Sequence, residues 1–295
     1  MTVAEAIRAA VTRLAETSDT ARLDAELLMA HALGVSRSDM LLRAMRESVP
    51  ETFAALVARR ERHEPVAYIT GTAEFYGLTL AVTPATLIPR GDSETLIEVA
   101  REAFANRPAP RRILDLGTGS GALLLAAMSI WQSAEGVGLD QSAAALVVAI
   151  GNAQTHANTA IGVMGNREAD LPMPRLDRGM ARFIQRDWRK RGWAEDLGTF
   201  DLILCNPPYV EAEAVLEPQV RDHEPATALF AGPEGLDDYR VLIPQLGKLL
   251  VPGGVAVFEI GAGQADAVSA IASAAGFTPE LRHDLAGRPR VLTLR

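Results

Sequence analysis

The stretch Arg112-Ile-Leu-Asp-Leu-Gly-Thr-Gly-Ser-Gly-Ala122 decides the fold of this chain. Its first residues, Arg112 to Asp115, predict a buried strand, and a helix is predicted from Ala122. The glycines between them let a ligand approach the backbone closely, and the N-terminus of the following helix offers free N–H groups. A strand, a glycine-rich turn and a helix in this order are typical of a Rossmann-like, doubly wound α/β sheet.

The glycine-rich turn predicts a nucleotide-like cofactor without identifying it. Gly117, Gly119 and Ala122 match the dinucleotide fingerprint, and Asp140 ends the next predicted strand 23 residues beyond Gly117, where such folds place a ribose-binding acid. These residues fit a nicotinamide cofactor and S-adenosylmethionine alike. Asp115 favours S-adenosylmethionine, because a carboxylate there would repel a pyrophosphate but suits the ammonium of a methionyl group.

A second apolar run, Asp201-Leu-Ile-Leu-Cys205, ends in Asn206-Pro-Pro-Tyr209. The run predicts a buried strand from Phe200 to Cys205, which delivers the tetrapeptide to the carboxyl edge of the sheet, where open α/β sheets bind ligands. The two prolines have no N–H, so this turn presents mainly carbonyl oxygens, and the Asn206 side chain adds another acceptor. We expect these acceptors to hold both hydrogens of an NH2 group, with Tyr209 stacked on the flat group that carries it.

A simpler interpretation exists for each of these features. An isolated Asn-Pro is usually a turn in which the Asn bonds its own backbone, although the full tetrapeptide after a buried strand is less common. The third predicted strand, Phe183 to Gln185, is followed by Asp187 and Trp188. Asp187 is expected to accept from the amino group of an adenine and Trp188 to cover one face of it, but a buried tryptophan without a ligand explains Trp188 equally well.

Composition limits the class of protein. The 295 residues are 48% hydrophobic and 22% charged, contain no apolar run of membrane-spanning length, and begin with mixed charges rather than a signal peptide, which predicts a cytoplasmic enzyme. The lone cysteine, Cys205, excludes an internal disulfide and a cysteine-cluster metal site, and no metal is expected. The net charge of −8 counts against general affinity for nucleic-acid backbone, although a local basic groove is compatible with it, and no membrane partner is expected.

Three regions are predicted along the chain. Residues 1–64 are expected to form a small helical domain with one apolar helix face at Val3, Ile7, Val11 and Leu14. A second helix is expected to carry Leu23, Leu27 and Leu28 and to end at Gly34. Residues 65–85 predict a β-hairpin linker, with strands at 66–69 and 77–82. Residues 86–295 predict the seven-stranded doubly wound sheet, with a surface loop at 162–179.

Several polar residues in these regions have two interpretations. Ser48 to Glu51 resembles a capping box, and the triplet Arg59, Arg60 and Arg62 is interpreted as a solvated helix end. Arg90 and Glu94 either face the site or belong to a capped helix start. His223 is interpreted as a loop histidine rather than a general base.

Beyond these motifs, much of the chain resembles one family. The tetrapeptide is similar to the Asp/Asn-Pro-Pro-Tyr/Phe motif of amino-methyltransferases, which use S-adenosylmethionine. The wider resemblance is to the release factor glutamine N5-methyltransferases, the PrmC/HemK family. The stretches that carry it are Arg22 to Leu28, Pro65 to Gly71, Glu74 to Gly77, Thr86 to Arg90, Asp115 to Gly121, Asn206 to Tyr209, Glu224 to Gly232 and Glu259 to Gly261.

This resemblance implies a class I S-adenosylmethionine-dependent methyltransferase that acts on the glutamine of the Gly-Gly-Gln motif in peptide-chain release factors. It implies that Gly117, Thr118, Gly119, Ser120, Gly121, Asp140 and Trp188 hold the cofactor. Asn206 would bridge cofactor and substrate, and Asn206, Pro207, Pro208 and Tyr209 would hold the glutamine. The helical N-terminal domain would dock the release factor.

The chain departs from the family pattern at Pro89-Arg-Gly-Asp-Ser-Glu94, where the family usually has Pro-Arg-Pro-Asp-Thr-Glu. This change loosens a turn but retains Arg90 and the acids. Competing functions are methylation of a ribosomal-protein glutamine, methylation of an exocyclic amine in DNA or RNA, and a nicotinamide-dependent oxidoreductase or a nucleotide-binding module without catalysis. A nucleic-acid substrate would require a flipped base and a basic channel, which the acidic composition does not favour.

Overall fold

The computed structural model describes residues 1–156 and 180–295. The loop predicted at 162–179 lies entirely outside the described residues. Within them the α-helices are, in chain order, α1 (Val3–Leu14), α2 (Ala21–Leu33), α3 (Arg37–Asp39), α4 (Phe53–Arg60), α5 (Val66–Thr70), α6 (Glu94–Ala103), α7 (Ala122–Ile130), α8 (Ala143–Thr155), α9 (Pro218–Arg221), α10 (Asp237–Leu242) and α11 (Ala265–Ala274). None of these helices is both long enough and apolar enough to span a membrane.

The strands of the described residues form a hairpin and one large sheet. They are β1 (Thr72–Phe75), β2 (Leu78–Ala81), β3 (Arg112–Leu116), β4 (Glu135–Asp140), β5 (Ala181–Gln185), β6 (Phe200–Cys205), β7 (Leu250–Glu259), β8 (Pro279–His283) and β9 (Pro289–Leu294). The 7-stranded sheet has the order β5-β4-β3-β6-β7-β9-β8. Its first five strands are parallel, and β9 and β8 add an antiparallel edge. The predicted Rossmann-like doubly wound fold is confirmed.

Apolar side chains on both faces of the central strands explain the layered architecture. Along β6, Leu202 and Leu204 pack in the cluster that contains α6 and α7, while Ile203 and Cys205 pack in the cluster that contains α10. A strand that is buried on both faces reads as a continuous apolar run, as the sequence of β6 does. Helices therefore cover both sides of the sheet.

The register of the parallel strands brings the predicted motifs together. Leu116 at the end of β3 pairs with Leu139 in β4 and with Cys205 in β6, so the carboxyl ends of the three strands are level. Strand β3 has β4 on one side and β6 on the other, which makes this position a topological switch point. The residues that follow these strands share one edge of the sheet.

The described residues form two compact units, Met1–Thr72 with Leu216–Glu224, and Ala73–Val215 with Pro225–Arg295. The first unit has its own apolar core, which α1, α2 and α4 provide. The segment Leu216–Glu224 belongs to this unit, which the sequence did not indicate. Within the unit, Arg60 Nη2 donates to Gln219 Oε1 at 3.3 Å. The predicted domains 1–64, 65–85 and 86–295 remain a prediction.

The strand predicted at 66–69 is wrong, because these residues form helix α5. Pro65 precedes the helix and Gly71, with φ +78°, ends it. A four-residue apolar run has no diagnostic period, and here packing against α2 and α4 determines its conformation. The hairpin itself is β1 and β2, joined by Tyr76 and Gly77 at φ +50° and +75°, as a type I′ turn requires.

Three smaller expectations in the first unit also differ. Of the leucines expected on α2, Leu28 is buried, together with Ala25 and Met29, whereas Leu23 is 42% exposed. Arg60 is not solvated: its Nε donates to Asp24 Oδ2 at 2.6 Å and both side chains are buried. The two charges compensate each other, which is the condition under which such groups are buried.

The capping box predicted at Ser48 to Glu51 is absent. The N-cap of α4 is Thr52, whose side chain makes no capping bond, and Ser48 pairs with Thr2 in an isolated bridge. The capping box in this region is formed by Thr2 and Glu5 at the start of α1.

Candidate active site at the carboxyl edge of the sheet

A pocket opens where β3, β4 and β6 end. The predicted site residues that line it are Gly117, Thr118, Gly119, Ser120, Asp140, Trp188, Asn206 and Pro208. These residues come from four separate stretches of the sequence, and the level strand ends bring them together. The pocket lies in the second compact unit.

The glycine-rich turn forms one wall of this pocket. Gly117, Gly119 and Gly121 have φ of +74°, +54° and +84°, a region that favours glycine. A Cβ atom at Gly117 would stand 3.3 Å from the Trp188 ring, a tight contact that the ring could accept only by shifting. The turn therefore depends on glycine for its conformation and, at Gly117, for the space beside Trp188. Gly121 does not line the pocket but leads the chain into α7.

Asp140 is fixed by backbone N–H groups at the end of β4. Its Oδ2 accepts from Gly119 N at 2.9 Å and its Oδ1 accepts from Ser142 N at 2.8 Å. Burial raises the pKa of this carboxyl group, while the backbone bonds oppose the rise. Each carboxylate oxygen has a further lone pair, so the side chain can still accept from hydroxyl groups of a ligand in the pocket.

Asp115 lies beneath the turn rather than on the pocket wall. It is fully buried, and its Oδ2 accepts from Thr118 Oγ1 at 2.6 Å. Its Oδ1 has no hydrogen-bond partner in the part of the chain that the structure describes. Burial raises the pKa of Asp115 to about 7. Thr118 lines the pocket and Asp115 does not, so the role predicted for Asp115 toward a ligand ammonium stays a prediction.

Asn152 holds the outer end of the turn, which the sequence did not indicate. This buried residue of α8 donates through Nδ2 to Ser120 O and to Ala81 O, both at 2.9 Å. Its Oδ1 accepts from Ala81 N at 2.7 Å. One amide thus links the glycine-rich turn to the hairpin, but an asparagine within a helix gives no sequence signal for such a role.

Trp188 and Asp187 are neighbours with different surroundings. Trp188 is buried beside the turn, and its Nε1 donates to Asp238 Oδ1 at 2.7 Å. Asp187 does not line this pocket; its Oδ1 accepts from Arg189 N at 3.0 Å, and its Oδ2 lies 3.9 Å from Lys190 Nζ. The structure therefore brings Trp188, but not Asp187, together with the glycine-rich turn.

The tetrapeptide divides between the pocket and the core. Asn206 and Pro208 line the pocket, while Pro207 is buried and does not. Tyr209 is also outside the lining: its Oη donates to Glu259 Oε1 at 3.2 Å, and its backbone oxygen accepts from Gln264 Nε2 at 3.0 Å. Burial raises the pKa of Tyr209. The stacking predicted for this ring stays a prediction.

Further lining residues come from the hairpin and from the segment between it and α6. They include Phe75 of β1 and, after the hairpin, Thr86, Leu87, Arg90 and Ser93. Of the residues with two interpretations, Arg90 lines the pocket, whereas Glu94 accepts from Tyr76 N at 2.8 Å. The ring Nε2 of His223 lies 3.2 Å from Arg62 O in the first unit. The signal for this wall was the family-like stretch 86–90, since no periodic pattern marks it.

The geometry fits a cofactor with a flat ring, hydroxyl groups and a cationic end. The turn has no side chains at its three glycines, Asp140 retains acceptor capacity, and a carboxylate oxygen of Asp115 is orphaned beneath Thr118. Among the described residues no group of three or more His, Cys, Asp or Glu side chains is placed to hold a metal ion.

Comparisons with known proteins agree with this geometry. Residues 5–71 match the family model described as the PrmC N-terminal domain. A protein of Bradyrhizobium diazoefficiens named release factor glutamine methyltransferase is 39% identical over 94% of this chain and 89% of its own length. A protein of the same name from Cereibacter sphaeroides is 38% identical over 100% of this chain and 99% of its own length.

A solved structure shows a more distant likeness. The protein-(glutamine-N5) methyltransferase (release factor-specific) from Alicyclobacillus acidocaldarius is 24% identical, with a TM-score of 0.39 over 72% of this chain and 96% of that chain. The assignment to a family rests on the sequence relatives.

Proposed function

Because the chain belongs to the release factor glutamine methyltransferase family, we propose that it transfers a methyl group from S-adenosylmethionine to the side-chain amide nitrogen (N5) of a release-factor glutamine. The enzyme is an S-adenosylmethionine-dependent protein-(glutamine-N5) methyltransferase, and the glutamine is that of the Gly-Gly-Gln motif. One observation carries this proposal: Asn206 and Pro208 share a pocket with the glycine-rich turn.

S-adenosylmethionine supplies a methyl group that is activated by a sulfonium sulfur. Gly117, Thr118, Gly119 and Ser120 offer backbone that a nucleoside and a methionyl chain can approach closely. Asp140 accepts from ribose hydroxyls, and Trp188 covers one face of the adenine. The carboxylate of Asp115, beneath Thr118, favours the ammonium end electrostatically.

The tetrapeptide holds the substrate nitrogen. The lone pair of an amide nitrogen is delocalised into its carbonyl group, so this nitrogen is a weak nucleophile. Asn206 Oδ1 and a proline carbonyl accept the two N–H hydrogens, which orients the nitrogen and favours its pyramidalisation as the methyl carbon approaches. The remaining residues of the motif restrict the conformation of this turn. Pro207 has a fixed φ, and Tyr209 is held by its hydrogen bond to Glu259.

No general base is needed for this reaction. The methyl–nitrogen bond forms as the methyl–sulfur bond breaks, which leaves a neutral thioether and passes the positive charge to the amide nitrogen. This nitrogen then readily releases a proton to water. The rate enhancement then comes from orientation and from the placement of acceptors rather than from a covalent intermediate. His223, whose ring lies at Arg62 O in the first unit, is not assigned to catalysis.

We propose in addition that the helical domain, residues 1–64, docks the release factor. The match of residues 5–71 to the PrmC N-terminal domain supports this division of labour. Residues 1–85 contain nine arginines and eleven acids, so their charge favours a protein partner over nucleic acid. The proposed place of action is the cytoplasm, where release factors function.

Methyl transfer from radiolabelled S-adenosylmethionine tests this function. The expected result is label in an intact release factor, none in its Gln→Glu variant at the Gly-Gly-Gln motif, and none in DNA or RNA. Label in the Gln→Glu variant would contradict the assigned acceptor. Label in ribosomal protein or nucleic acid, with none in the release factor, would replace the proposed substrate with one of the alternatives.

A further inference from the structure

Glu259 is a buried carboxylate behind the tetrapeptide, and both ends of the tetrapeptide are connected to it. Its side chain is 1% exposed, its Oε2 accepts from Ser93 Oγ at 2.5 Å, and its Oε1 accepts from Tyr209 Oη at 3.2 Å. Its backbone oxygen accepts from Tyr239 Oη at 2.8 Å. Through Ser93, the same carboxylate also reaches Asn206.

The hydrogen-bond inventory fixes the direction of this chain of contacts. A serine hydroxyl has one hydrogen, and that of Ser93 is committed to the Glu259 carboxylate, which can only accept when ionised. The Ser93 oxygen can then act only as an acceptor toward Asn206. It accepts from Asn206 Nδ2 at 3.4 Å, and no described residue donates to Asn206 Oδ1.

We propose that Glu259, acting through Ser93, is a positioning residue that sets the orientation of the Asn206 amide and keeps Oδ1 available to the substrate nitrogen. This inference rests on the proposed function and deepens it. With the amide rotated by half a turn, Asn206 would present its NH2 group to the NH2 group of the glutamine, and two donors form no hydrogen bond. The orientation of one amide thus decides whether the nitrogen is held.

Ser93 is free for this role because it does not cap the helix that it precedes. The residue immediately before α6 has helical backbone angles, and its side chain makes no capping hydrogen bond. Ser93 is 4% exposed, and its hydroxyl lies between the pocket residue Asn206 and the buried Glu259. A serine used only to start a helix would bond a backbone N–H instead.

Ser93→Ala and Glu259→Gln test the proposal from the two ends of the contact. Ser93→Ala removes the acceptor for Nδ2. In Glu259→Gln the new amide can donate to Ser93 Oγ, which frees the hydroxyl hydrogen to turn toward Asn206 Oδ1 and permits the rotated amide. Ser93→Thr keeps the hydroxyl, and Ser129→Ala removes a hydroxyl that bonds Ala126 O within α7 as a matched control.

The measured quantities are kcat and KM for the release factor, the affinity for S-adenosylhomocysteine and the melting temperature. We expect Ser93→Ala and Glu259→Gln to lower kcat by about 10- to 100-fold, as misplaced reacting groups do. Ser93→Ala should leave KM, cofactor affinity and melting temperature close to wild type, while Ser93→Thr and Ser129→Ala retain near-normal kcat. A wild-type kcat in Ser93→Ala, or no recovery in Ser93→Thr, would overturn the proposal.

A second measurement separates this proposal from the proposed function. The side-chain amide signals of Asn206 are identified in a nitrogen–proton NMR spectrum by their loss in Asn206→Ala. In Ser93→Ala they should shift and their hydrogens exchange faster, whether or not the enzyme methylates a release factor. Unchanged Asn206 signals refute the positioning proposal, whereas a wild-type enzyme that fails to methylate any release factor refutes the proposed function.

Discussion

Among single residues, Asn206 is the one on which transfer depends most directly, because its side chain supplies an acceptor for the substrate amide. We predict that Asn206→Ala lowers methyl transfer by about 100- to 1,000-fold, the usual loss when one group that stabilises a transition state is removed. The melting temperature should change little, since Asn206 is only half-buried. Initial rates with saturating release factor measure the effect, and transfer near the wild-type rate would exclude Asn206 as the acceptor.

Asp115 gives a prediction about pH. Burial raises its pKa to about 7 in the folded protein, above the ordinary 3.8, so the folded state binds this proton more tightly than the unfolded chain does. The free energy of unfolding should therefore fall as pH rises between these values, by at most about 1.4 kcal/mol per pH unit for one group. Asp115→Asn remains neutral and should lack this part of the slope.

Urea unfolding of both proteins at about pH 5 and about pH 8 measures the Asp115 effect. We expect the variant to gain stability relative to wild type at the higher pH. There the wild type must either bury the Asp115 carboxylate as a charge or keep it protonated at a pH where the unfolded chain has lost that proton, and both cost free energy. The same difference in unfolding free energy at both pH values would show that Asp115 does not titrate in this range.

Residue chemistry alone indicated part of this site. Pro207 and Pro208 lack a backbone N–H, so the sequence alone shows that this turn has few donors. The glycines at 117 and 119 likewise indicate a turn that a Cβ atom would disturb. The sequence could not distinguish Asp140, which lines the pocket, from Asp115, which lies beneath it, because side-chain direction at a strand end depends on the turn. Ser93, Asn152 and Glu259 act through contacts distant in sequence, which no local pattern encodes.

Among the secondary-structure elements, β4 and α8 each contain a glycine whose substitution by alanine tests the packing. The two substitutions form a matched pair, because one site is crowded and the other is open. A Cβ atom at Gly138 in β4 would stand 2.8 Å from Phe183 Cδ1 and 2.9 Å from Thr118 Oγ1. At Gly151 in α8 it would meet nothing within 4 Å. We predict that Gly138→Ala destabilises the protein by about 1–3 kcal/mol through overpacking. Gly151→Ala should stabilise it by about 0.5–1 kcal/mol, because alanine favours the helix.

Urea unfolding and titration with S-adenosylhomocysteine together test this pair. Since the new methyl group at 138 also presses on Thr118, we expect weaker cofactor binding in Gly138→Ala and normal binding in Gly151→Ala. Equal stability of the two variants would contradict the packing that the structure shows around β4.

Elements with strong patterns were predicted well, and short ones were not. Strands β3 and β6 are largely apolar runs. The first is followed by Gly117 and the second by Asn206 and Pro207, so the sequence predicts both the strands and where they end. Helix α5 has five residues and takes its conformation from packing rather than from its own sequence. The solvated state predicted for Arg60 is wrong for a related reason, because its partner Asp24 is 36 residues away in sequence and pairs with it only in the folded chain.

For the whole molecule, the fold alone is compatible with either S-adenosylmethionine or a nicotinamide cofactor. The two are distinguished by which ligand raises the stability of the folded protein. A ligand that binds only the folded state at about 100 times its dissociation constant adds about 2.7 kcal/mol to the free energy of unfolding. We expect S-adenosylhomocysteine to raise the melting temperature by several degrees and NAD to leave it unchanged. A rise with NAD, and none with S-adenosylhomocysteine, would favour an oxidoreductase instead.

The central claim is that the corner formed by Asn206 and the prolines holds an amide nitrogen beside the cofactor pocket. A crystal structure with S-adenosylhomocysteine and a Gly-Gly-Gln peptide tests it most directly. The account predicts the glutamine nitrogen within hydrogen-bond distance of Asn206 Oδ1, and the cofactor sulfur directed toward that nitrogen. A sulfur that points away from Asn206, or a glutamine bound elsewhere, would contradict it.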